Sequence, residues 1–273
     1  MNYRHIFHAG NFADLLKHAV LTELLAAMTR GKAPLTIIDT HAGAGIYDLA
    51  GDLARRTGEG AAVAALMADE AAPPVFDALK AAIRRINEAG ARYYPGSPEI
   101  IAQALRPRDR LIACETRLDD FHGLREVPRQ PGAMAVREDG WDAARARPPP
   151  APAPVLIHID PPYEAADDGD RAAATVRRVL ARNAGAVIAI WAPIKDLTAF
   201  DSLLSEVEEA KGRAPALVAE VRLRPPDDPL RLNGCAVVTV NAPPELAAAA
   251  GAAAKWIAAT LGDPGGLGAA RWL

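Results

Sequence analysis

Apolar runs of strand length recur along the chain, separated by segments whose apolar residues have helical spacing. The strand-like runs lie at 35–39, 111–115, 133–137, 155–159, 186–191, 217–223 and 235–240. Helices are predicted between several of them, including one at 171–183 and one near 197–210. Pro193 is expected to stop the strand at 186–191, and the strand at 235–240 is expected to finish the sheet. This alternation predicts an open α/β fold.

A further helix is predicted near the N-terminus, from the residues after Asn11 to about Met28. Asn11 can cap this helix, and apolar residues such as Leu15 recur at helical spacing along it. Lys17 and His18 follow the first turn and project about 100° apart, so one can face a cofactor and the other a substrate. A solvated or core position is the more common role of a lone Lys or His on a helix, and both interpretations stay open.

A run of small residues, 40–45, follows the first predicted strand. Small residues allow a ligand to approach the backbone closely. The run lacks the full G-x-G-x-x-G pattern that binds a dinucleotide pyrophosphate, so nicotinamide binding is disfavoured. A cofactor without phosphate groups, such as S-adenosylmethionine, fits the loop better.

The Ala-rich stretch 52–92 carries apolar residues at helical spacing and is broken by two prolines, at 73–74. We therefore predict two or three helices inserted between the glycine-rich loop and the next strand. The expected organisation has three parts. Residues 1–51 hold the N-terminal helix, first strand and glycine loop, 52–93 form the inserted helical subdomain, and 94–273 complete the α/β domain.

Polar residues stand where the predicted strands end. Glu115 ends the second strand, and its carboxylate suits the two hydroxyls of a ribose. Asp139 and Gly140 follow the third strand; Asp139 could accept from the amino group of a cofactor adenine, although Asp-Gly is also a favourable turn. The Ser97 hydroxyl could bind a ligand or, more commonly, cap a helix at 98–105.

The most informative stretch is the strand 155–159 followed by Asp160, Pro161, Pro162 and Tyr163. The prolines end the strand and hold Asp160 in extended geometry at the carboxyl edge of the sheet, where open α/β folds bind ligands. Carboxylate and carbonyl oxygens accept hydrogen bonds, and Tyr163 offers a ring to stack on. This set suits the amino group of a purine and is typical of adenine and cytosine amino-methyltransferases. The alternative is a Pro-Pro turn that merely ends a strand.

The composition narrows the class of protein. The chain has 273 residues, 50% of them apolar, and a net charge of −3, which gives no uniform basic field for gripping nucleic acid. Neither a membrane span nor a secretory signal is recognised, so a cytoplasmic protein is expected. Cys114 and Cys235 lie in apolar runs and are expected to be buried and reduced rather than paired or bound to a metal.

Four motifs together resemble one family, the RlmJ-type 23S ribosomal RNA adenine-N6-methyltransferases, nearly from end to end. They occur in the family's order: Tyr3-Arg4-His5 with Phe7 through Asn11, Ala13-Asp14 and Leu16-Lys17-His18; 39–45; 93–98; and 159–164. The order and spacing make this resemblance more specific than the Asp-Pro-Pro-Tyr motif, which DNA enzymes share.

The resemblance implies a class I (Rossmann-like) S-adenosylmethionine-dependent methyltransferase fold with a small inserted helical subdomain. It implies methyl transfer to N6 of one adenine of 23S rRNA. This chemistry requires no metal, and nothing in the sequence demands a dimer, so a monomer is expected. The cofactor contacts that it implies are His18, His41, Ser97, Glu115, Asp139, Gly140 and Asp160. Asp160 would also act in catalysis, together with Pro161 and Tyr163; Lys17 would be a catalytic neighbour and Tyr3 would meet the RNA.

Two alternatives remain at this point. A DNA adenine-N6 methyltransferase would share the motif at 160–163, but the 41 residues from 52 to 92 leave little room for a target-recognition domain. A non-catalytic Rossmann-like RNA-binding module would keep the scaffold only. It is disfavoured because Glu115, Asp139 and Asp160 stand at three successive strand ends.

Overall fold

A mostly parallel sheet of eight strands organises the protein in this computed structural model, which describes residues 9–51, 60–127, 131–228 and 230–273. The strands, in chain order, are β1 (Thr36–Asp39), β2 (Ile46–Asp48), β3 (Tyr93–Pro95), β4 (Arg110–Cys114), β5 (Ala133–Val136), β6 (Val155–Ile159), β7 (Val187–Ile194), β8 (Ala216–Arg222), β9 (Gly234–Val240) and β10 (Leu267–Trp272). The large sheet has the order β10-β8-β9-β7-β6-β1-β4-β5. Strands β1, β4, β5, β6 and β7 are mutually parallel, so their carboxyl ends share one edge.

Helices cover both faces of this sheet. They are α1 (Phe12–Met28), α2 (Ala61–Ala68), α3 (Asp77–Arg85), α4 (Ser97–Ala104), α5 (Leu118–Leu124), α6 (Gly140–Ala146), α7 (Asp168–Arg182), α8 (Leu197–Lys211) and α9 (Leu246–Leu261), with a 3-10 turn at Pro74–Phe76. One core layer packs helices α1, α2, α3, α4 and α9 against one face of the sheet. A second packs α6, α7 and α8 against the other face. In the described ranges, no helix has the length and apolar character needed to cross a membrane.

The predicted N-terminal helix is confirmed as α1. The Asn11 side chain accepts hydrogen bonds from the backbone N–H groups of Ala13 (2.9 Å) and Asp14 (3.1 Å), which caps the helix. Helices α4 and α9 and strand β9 pack around α1, so even Lys17 and His18 are buried. A solvated role for these two residues is therefore wrong.

Helices are also found in the predicted insertion, within residues 60–92; residues 52–59 lie outside the described ranges. Strands β2 and β3 pair antiparallel at its base, with Tyr47 opposite Tyr94, so the insertion leaves and rejoins the main domain at one place. Strand β3 was not among the strand-like runs predicted from the sequence. The insertion packs on α9, where the rings of Phe76 and Trp256 meet edge to face with their centroids 5.0 Å apart.

Strand β7 passes through Pro193 instead of stopping before it. Pro193 pairs with Cys235 of β9, while on the other side β6 ends at Ile159, opposite Ile190. No β6 carbonyl therefore needs the missing N–H of the proline, and β7 continues to Ile194. The prediction failed because a proline is tolerated at a strand position with one unpaired side.

The sheet also extends beyond β9, contrary to the sequence prediction. The Ala-rich helix α9 follows, and β10 then pairs antiparallel with β8 as an edge strand. A methyl group on Gly268 would lie 2.1 Å from the carbonyl oxygen of Ala254, so this glycine allows β10 to pass directly against α9. Helix α7 begins at Asp168, three residues earlier than predicted. The two cysteines are buried and free, as predicted.

Candidate active site

A cavity of about 280 Å³ opens at the carboxyl edge of the parallel strands, where Asp160 directly follows β6. Its lining includes seven residues that the sequence singled out: Lys17, His18, His41, Ser97, Glu115, Asp160 and Pro161. These residues come from α1, the loop after β1, the start of α4, the end of β4 and the loop after β6. The fold therefore collects most of the predicted site from distant parts of the chain.

Three buried or half-buried charges lie in a row at one side of this cavity. The Lys17 ammonium is 2.6 Å from Asp160 Oδ2 and 2.7 Å from an oxygen of Asp14. Burial alone would lower the pKa of Lys17, but the two carboxylates outweigh it and hold the pKa well above its usual value. Lys17 is therefore a fixed cation that binds one oxygen of Asp160.

The two predicted histidines of the site have different surroundings. His18 Nδ1 shares a hydrogen bond of 2.7 Å with the Tyr94 hydroxyl, and the two rings stack at 5.5 Å. His41 Nδ1 shares one of 2.7 Å with the Thr40 hydroxyl and meets the Trp141 ring edge to face at 5.1 Å. Burial lowers the pKa of His41 to about 4, so this imidazole is neutral at physiological pH.

Ser97 belongs to a buried polar network. Its hydroxyl donates to Asp39 Oδ2 at 2.7 Å, and His158 Nδ1 donates to Asp39 Oδ1 at 3.1 Å. The N-cap of α4 is Gly96 and the Ser97 side chain makes no capping hydrogen bond, so the capping role considered for Ser97 is wrong. The hydroxyl instead satisfies an acid that has no exposed surface.

Glu115 joins the end of β4 to the glycine-rich loop. Its carboxylate accepts from the backbone N–H of Gly43 at 3.1 Å and from that of Arg117 at 2.7 Å. Burial raises its pKa. A methyl group on Gly43, where φ is +62°, would lie 2.1 Å from the Tyr47 hydroxyl, so glycine is required here. Each Glu115 oxygen keeps a second lone pair for a further donor.

Asp139 and Gly140 lie next to the cavity but outside its lining. Asp139 caps α6 by accepting from the Trp141 N–H at 2.7 Å, and its other oxygen accepts from Arg171 at 3.1 Å. A methyl group on Gly140 would lie 1.8 Å from the carbonyl oxygen of Thr40, so this glycine lets α6 approach the loop after β1. Their contact with a cofactor stays a prediction, as does the role of Tyr3, which lies outside the described residues.

Tyr163 is held in an unusual conformation. Its φ is 50°, in the left-handed region that non-glycine residues seldom adopt. The hydroxyl donates to the carbonyl oxygen of Trp191 at 2.8 Å, and the two rings meet edge to face at 5.8 Å. Burial raises the pKa of Tyr163, so the phenol stays neutral. The ring orientation is thus determined by β7.

Four further contributors were not predicted as site residues, although Asp14 and Tyr94 lie within the family motifs. Asp14, Tyr94, Arg171 and Trp191 each contact a predicted site residue. The spacing of Asp14 and Lys17, three residues apart on one helix, was an available signal. The other three contacts join elements far apart in sequence and left no local signal.

The charge of the cavity favours a cationic ligand. Four acids line it, Glu115, Asp120, Asp160 and Glu164, against two permanent cations, Lys17 and Arg117. The lining therefore carries a net charge of −2 when the acids are ionised. A sulfonium or ammonium group is attracted to such a site.

Comparisons with known proteins agree on one family. The family model described as "Ribosomal RNA large subunit methyltransferase D, RlmJ" matches residues 32–273. Ribosomal RNA large subunit methyltransferase J of Escherichia coli (strain K12) is 32% identical over 249 residues, covering 90% of this chain and 89% of the relative. The protein of the same name from Haemophilus influenzae (strain Rd) is 32% identical over 247 residues, covering 89% of this chain and 88% of the relative.

A solved structure has the same fold along nearly the whole chain. The crystal structure of protein LPL1258 from Legionella pneumophila is 28% identical, covers 97% of each chain and superimposes with a TM-score of 0.87. The Rossmann-like α/β fold and the family resemblance predicted from the sequence are confirmed. The extent of the family match and the two relatives lead to one conclusion: the chain belongs to the RlmJ family of ribosomal RNA large subunit methyltransferases.

Proposed function

We propose that this methyltransferase transfers the methyl group of S-adenosylmethionine to the exocyclic N6 of one adenine in 23S rRNA. The observation that carries the proposal is that Asp160 and Pro161 line the same cavity as His18, His41, Ser97 and Glu115. An amino-group acceptor thus adjoins the residues expected to bind the cofactor. The relatives are named for methylation of large-subunit ribosomal RNA, which favours this substrate over DNA.

The side chains of the cavity fit S-adenosylmethionine. Glu115 has lone pairs left for the ribose hydroxyls, and the net negative lining suits the positive sulfur and ammonium groups. In the proposal His18, His41, Ser97 and Asp160 complete the cofactor contacts, with Asp139 and Gly140 on the adenine side. When bound, the cofactor supplies an electrophilic methyl group on a sulfonium sulfur.

Asp160 is proposed to hold the target amino group. Oδ2 is occupied by Lys17, which leaves Oδ1 to accept one amino proton, while the Pro161 carbonyl accepts the other. Both hydrogen bonds localise the nitrogen lone pair that attacks the methyl carbon. A strong base is unnecessary, because the nitrogen becomes acidic only as its bond to the methyl carbon forms and the carbon–sulfur bond breaks. The proton that it then loses would pass through Oδ1 of Asp160 to solvent.

The target base must leave its stack to reach this edge of the sheet. Tyr163 is proposed to stack on it, which is supported by a ring held in place by Trp191. Correct placement of the reacting groups contributes about 7–11 kcal/mol in well-oriented intramolecular reactions. Tyr3 is assigned to the RNA side. In this proposal the protein acts as a monomer in the cytoplasm and needs no metal, so activity should survive EDTA.

The test is transfer of a tritiated methyl group from the cofactor to unmodified 23S rRNA and, in parallel, to duplex DNA. We expect labelled rRNA and a single N6-methyladenine on mapping. Label in DNA alone would support the DNA adenine methyltransferase instead. Failure to bind S-adenosylhomocysteine in calorimetry, with no transfer to either substrate, would support a non-catalytic RNA-binding module.

A further inference from the structure

Asp14 is a buried acid outside the cavity lining that forms an ion pair with Lys17 of the site. Asp14 is 2% exposed, and one of its oxygens lies 2.7 Å from Lys17 Nζ. Its Oδ2 accepts from the backbone N–H of Gly10 at 2.8 Å. Both Asp14 oxygens are thus engaged, one of them with Lys17 of the cavity lining, although Asp14 itself does not line the cavity.

The position of the Lys17 ammonium depends on both acids. A lysine side chain is flexible, and a single hydrogen bond leaves the ammonium free to swing about its partner. With Asp14 on one side and Asp160 on the other, at 2.7 and 2.6 Å, Nζ has one position. That position determines that Lys17 binds Oδ2 of Asp160, which leaves Oδ1 for another donor.

We propose that Asp14 is a positioning residue for methyl transfer: by holding Lys17, it keeps the Asp160 carboxylate in the orientation that accepts the target amino group. The inference rests on the proposed function for the identity of the reaction. Asp14 itself touches neither substrate nor cofactor in this proposal. It acts through Lys17.

The same acid also fixes the entry of the chain into α1. Gly10 has a φ of +78°, and a methyl group there would lie 2.8 Å from a Val63 methyl carbon. Its N–H donates to Asp14, so this turn lies between Asp14, the ion-pair partner of Lys17, and helix α2 of the insertion. Asp14 therefore holds both Lys17 and the backbone turn that precedes α1.

The charge balance around Lys17 supports this role. Among the described residues, burial raises the pKa of the other titratable groups that face the lysine, so they stay neutral: Tyr47, Tyr94 and Cys235. The two carboxylates alone offset the burial of the ammonium. Replacing Asp14 by Asn removes one of them, so the pKa of Lys17 must fall.

The experiment compares kcat and KM for unmodified 23S rRNA in the wild type, Asp14→Asn, Lys17→Met and the double variant. Asp14→Asn should lower kcat roughly 10- to 100-fold through misplacement of Asp160. KM for RNA and the affinity for S-adenosylhomocysteine should change less than about threefold. In the Lys17→Met background, the same Asn substitution should not lower kcat further, because the residue through which Asp14 holds Asp160 is gone and the substitution only removes the repulsion between the two carboxylates.

Two further readouts separate positioning from a structural role. In the cofactor-free protein, NMR titration of the lysine Cε signals should show Lys17 of Asp14→Asn losing its proton at lower pH than the wild type. The kcat of this variant should fall on the alkaline side accordingly. Asp109→Asn is the matched control: Asp109 is 1% exposed and paired with Arg106, but it lies at the amino edge of the sheet. It should lose stability and keep its kcat.

Three results would overturn the inference: wild-type kcat in Asp14→Asn, an equal fall in kcat with and without Lys17, or an unchanged Lys17 titration. The double variant guards against poor folding of Asp14→Asn, because a folding defect that does not involve Lys17 would appear in both variants. If the wild type transfers no methyl group to RNA, the proposed function fails, whereas the NMR titration still tests whether Asp14 holds Lys17.

Discussion

Replacing Lys17 by Met tests whether the three charges at the site depend on one another. Met has a similar length and no charge, so the substitution leaves the Asp14 and Asp160 carboxylates facing each other. Their oxygens lie 2.7 and 2.6 Å from Nζ and so are no more than about 5.3 Å apart. Two unit charges at that separation repel by about 3 kcal/mol at an effective dielectric constant of 20.

The expected loss of stability follows from this repulsion. Breaking a buried ion pair by removing one partner costs about 3–5 kcal/mol, so the free energy of unfolding of Lys17→Met should fall by about that amount near pH 8. The folded variant can relieve the repulsion by binding a proton on one carboxylate, which the unfolded chain does less readily. The deficit relative to wild type should therefore shrink as the pH falls towards about 5.

Urea denaturation followed by tryptophan fluorescence at both pH values measures the effect. Lys80→Met is the matched control: Lys80 is 6% exposed, but its ammonium donates to the backbone carbonyl of Asp69 at 2.6 Å, outside the cavity. Its loss should be smaller and depend less on pH. An equal deficit at the two pH values, or a larger one in the Lys80 variant, would refute the reasoning.

Three further substitutions test the site. Asp160→Asn should lower turnover by at least about 100-fold and leave S-adenosylhomocysteine binding within about tenfold of wild type in calorimetry; a fully active variant would count against the assignment. Tyr163→Phe loses the hydrogen bond to the Trp191 carbonyl, which is worth about 1 kcal/mol. The value of kcat/KM for RNA should therefore fall about fivefold. An unchanged value would show that the hydroxyl does not orient the ring. Gly140→Ala would place a methyl group 1.8 Å from the Thr40 carbonyl oxygen, so the free energy of unfolding should fall by about 1–3 kcal/mol or more in urea melts. Gly31→Ala is the control, because the nearest neighbour of its methyl group would be 4.0 Å away and its stability should not fall. Equal stability of the two variants would contradict the close approach.

Local sequence signals account for most of the helices and strands and for the chemistry at the end of β6. Helix α1 with its Asn11 cap and strand β6 with Asp160 after it were predicted because caps, periodicity and proline stops act within a few residues. The errors arose where neighbours in space decided. Pro193 stays in β7 because β6 has already ended beside it, and β10 exists because Gly268 can pass against α9.

The assembly of the site depends on tertiary packing. Lys17 meets Asp160 across 143 residues of sequence because α1 is buried against the sheet, and Ser97 turns from the start of α4 to an acid at the end of β1. Tyr163 takes its orientation from Trp191 on the next strand. Such contacts depend on how helices and strands pack, which residue spacing along the chain does not determine. Asp160 and the two prolines, by contrast, are adjacent in the sequence, so their chemistry could be recognised from it.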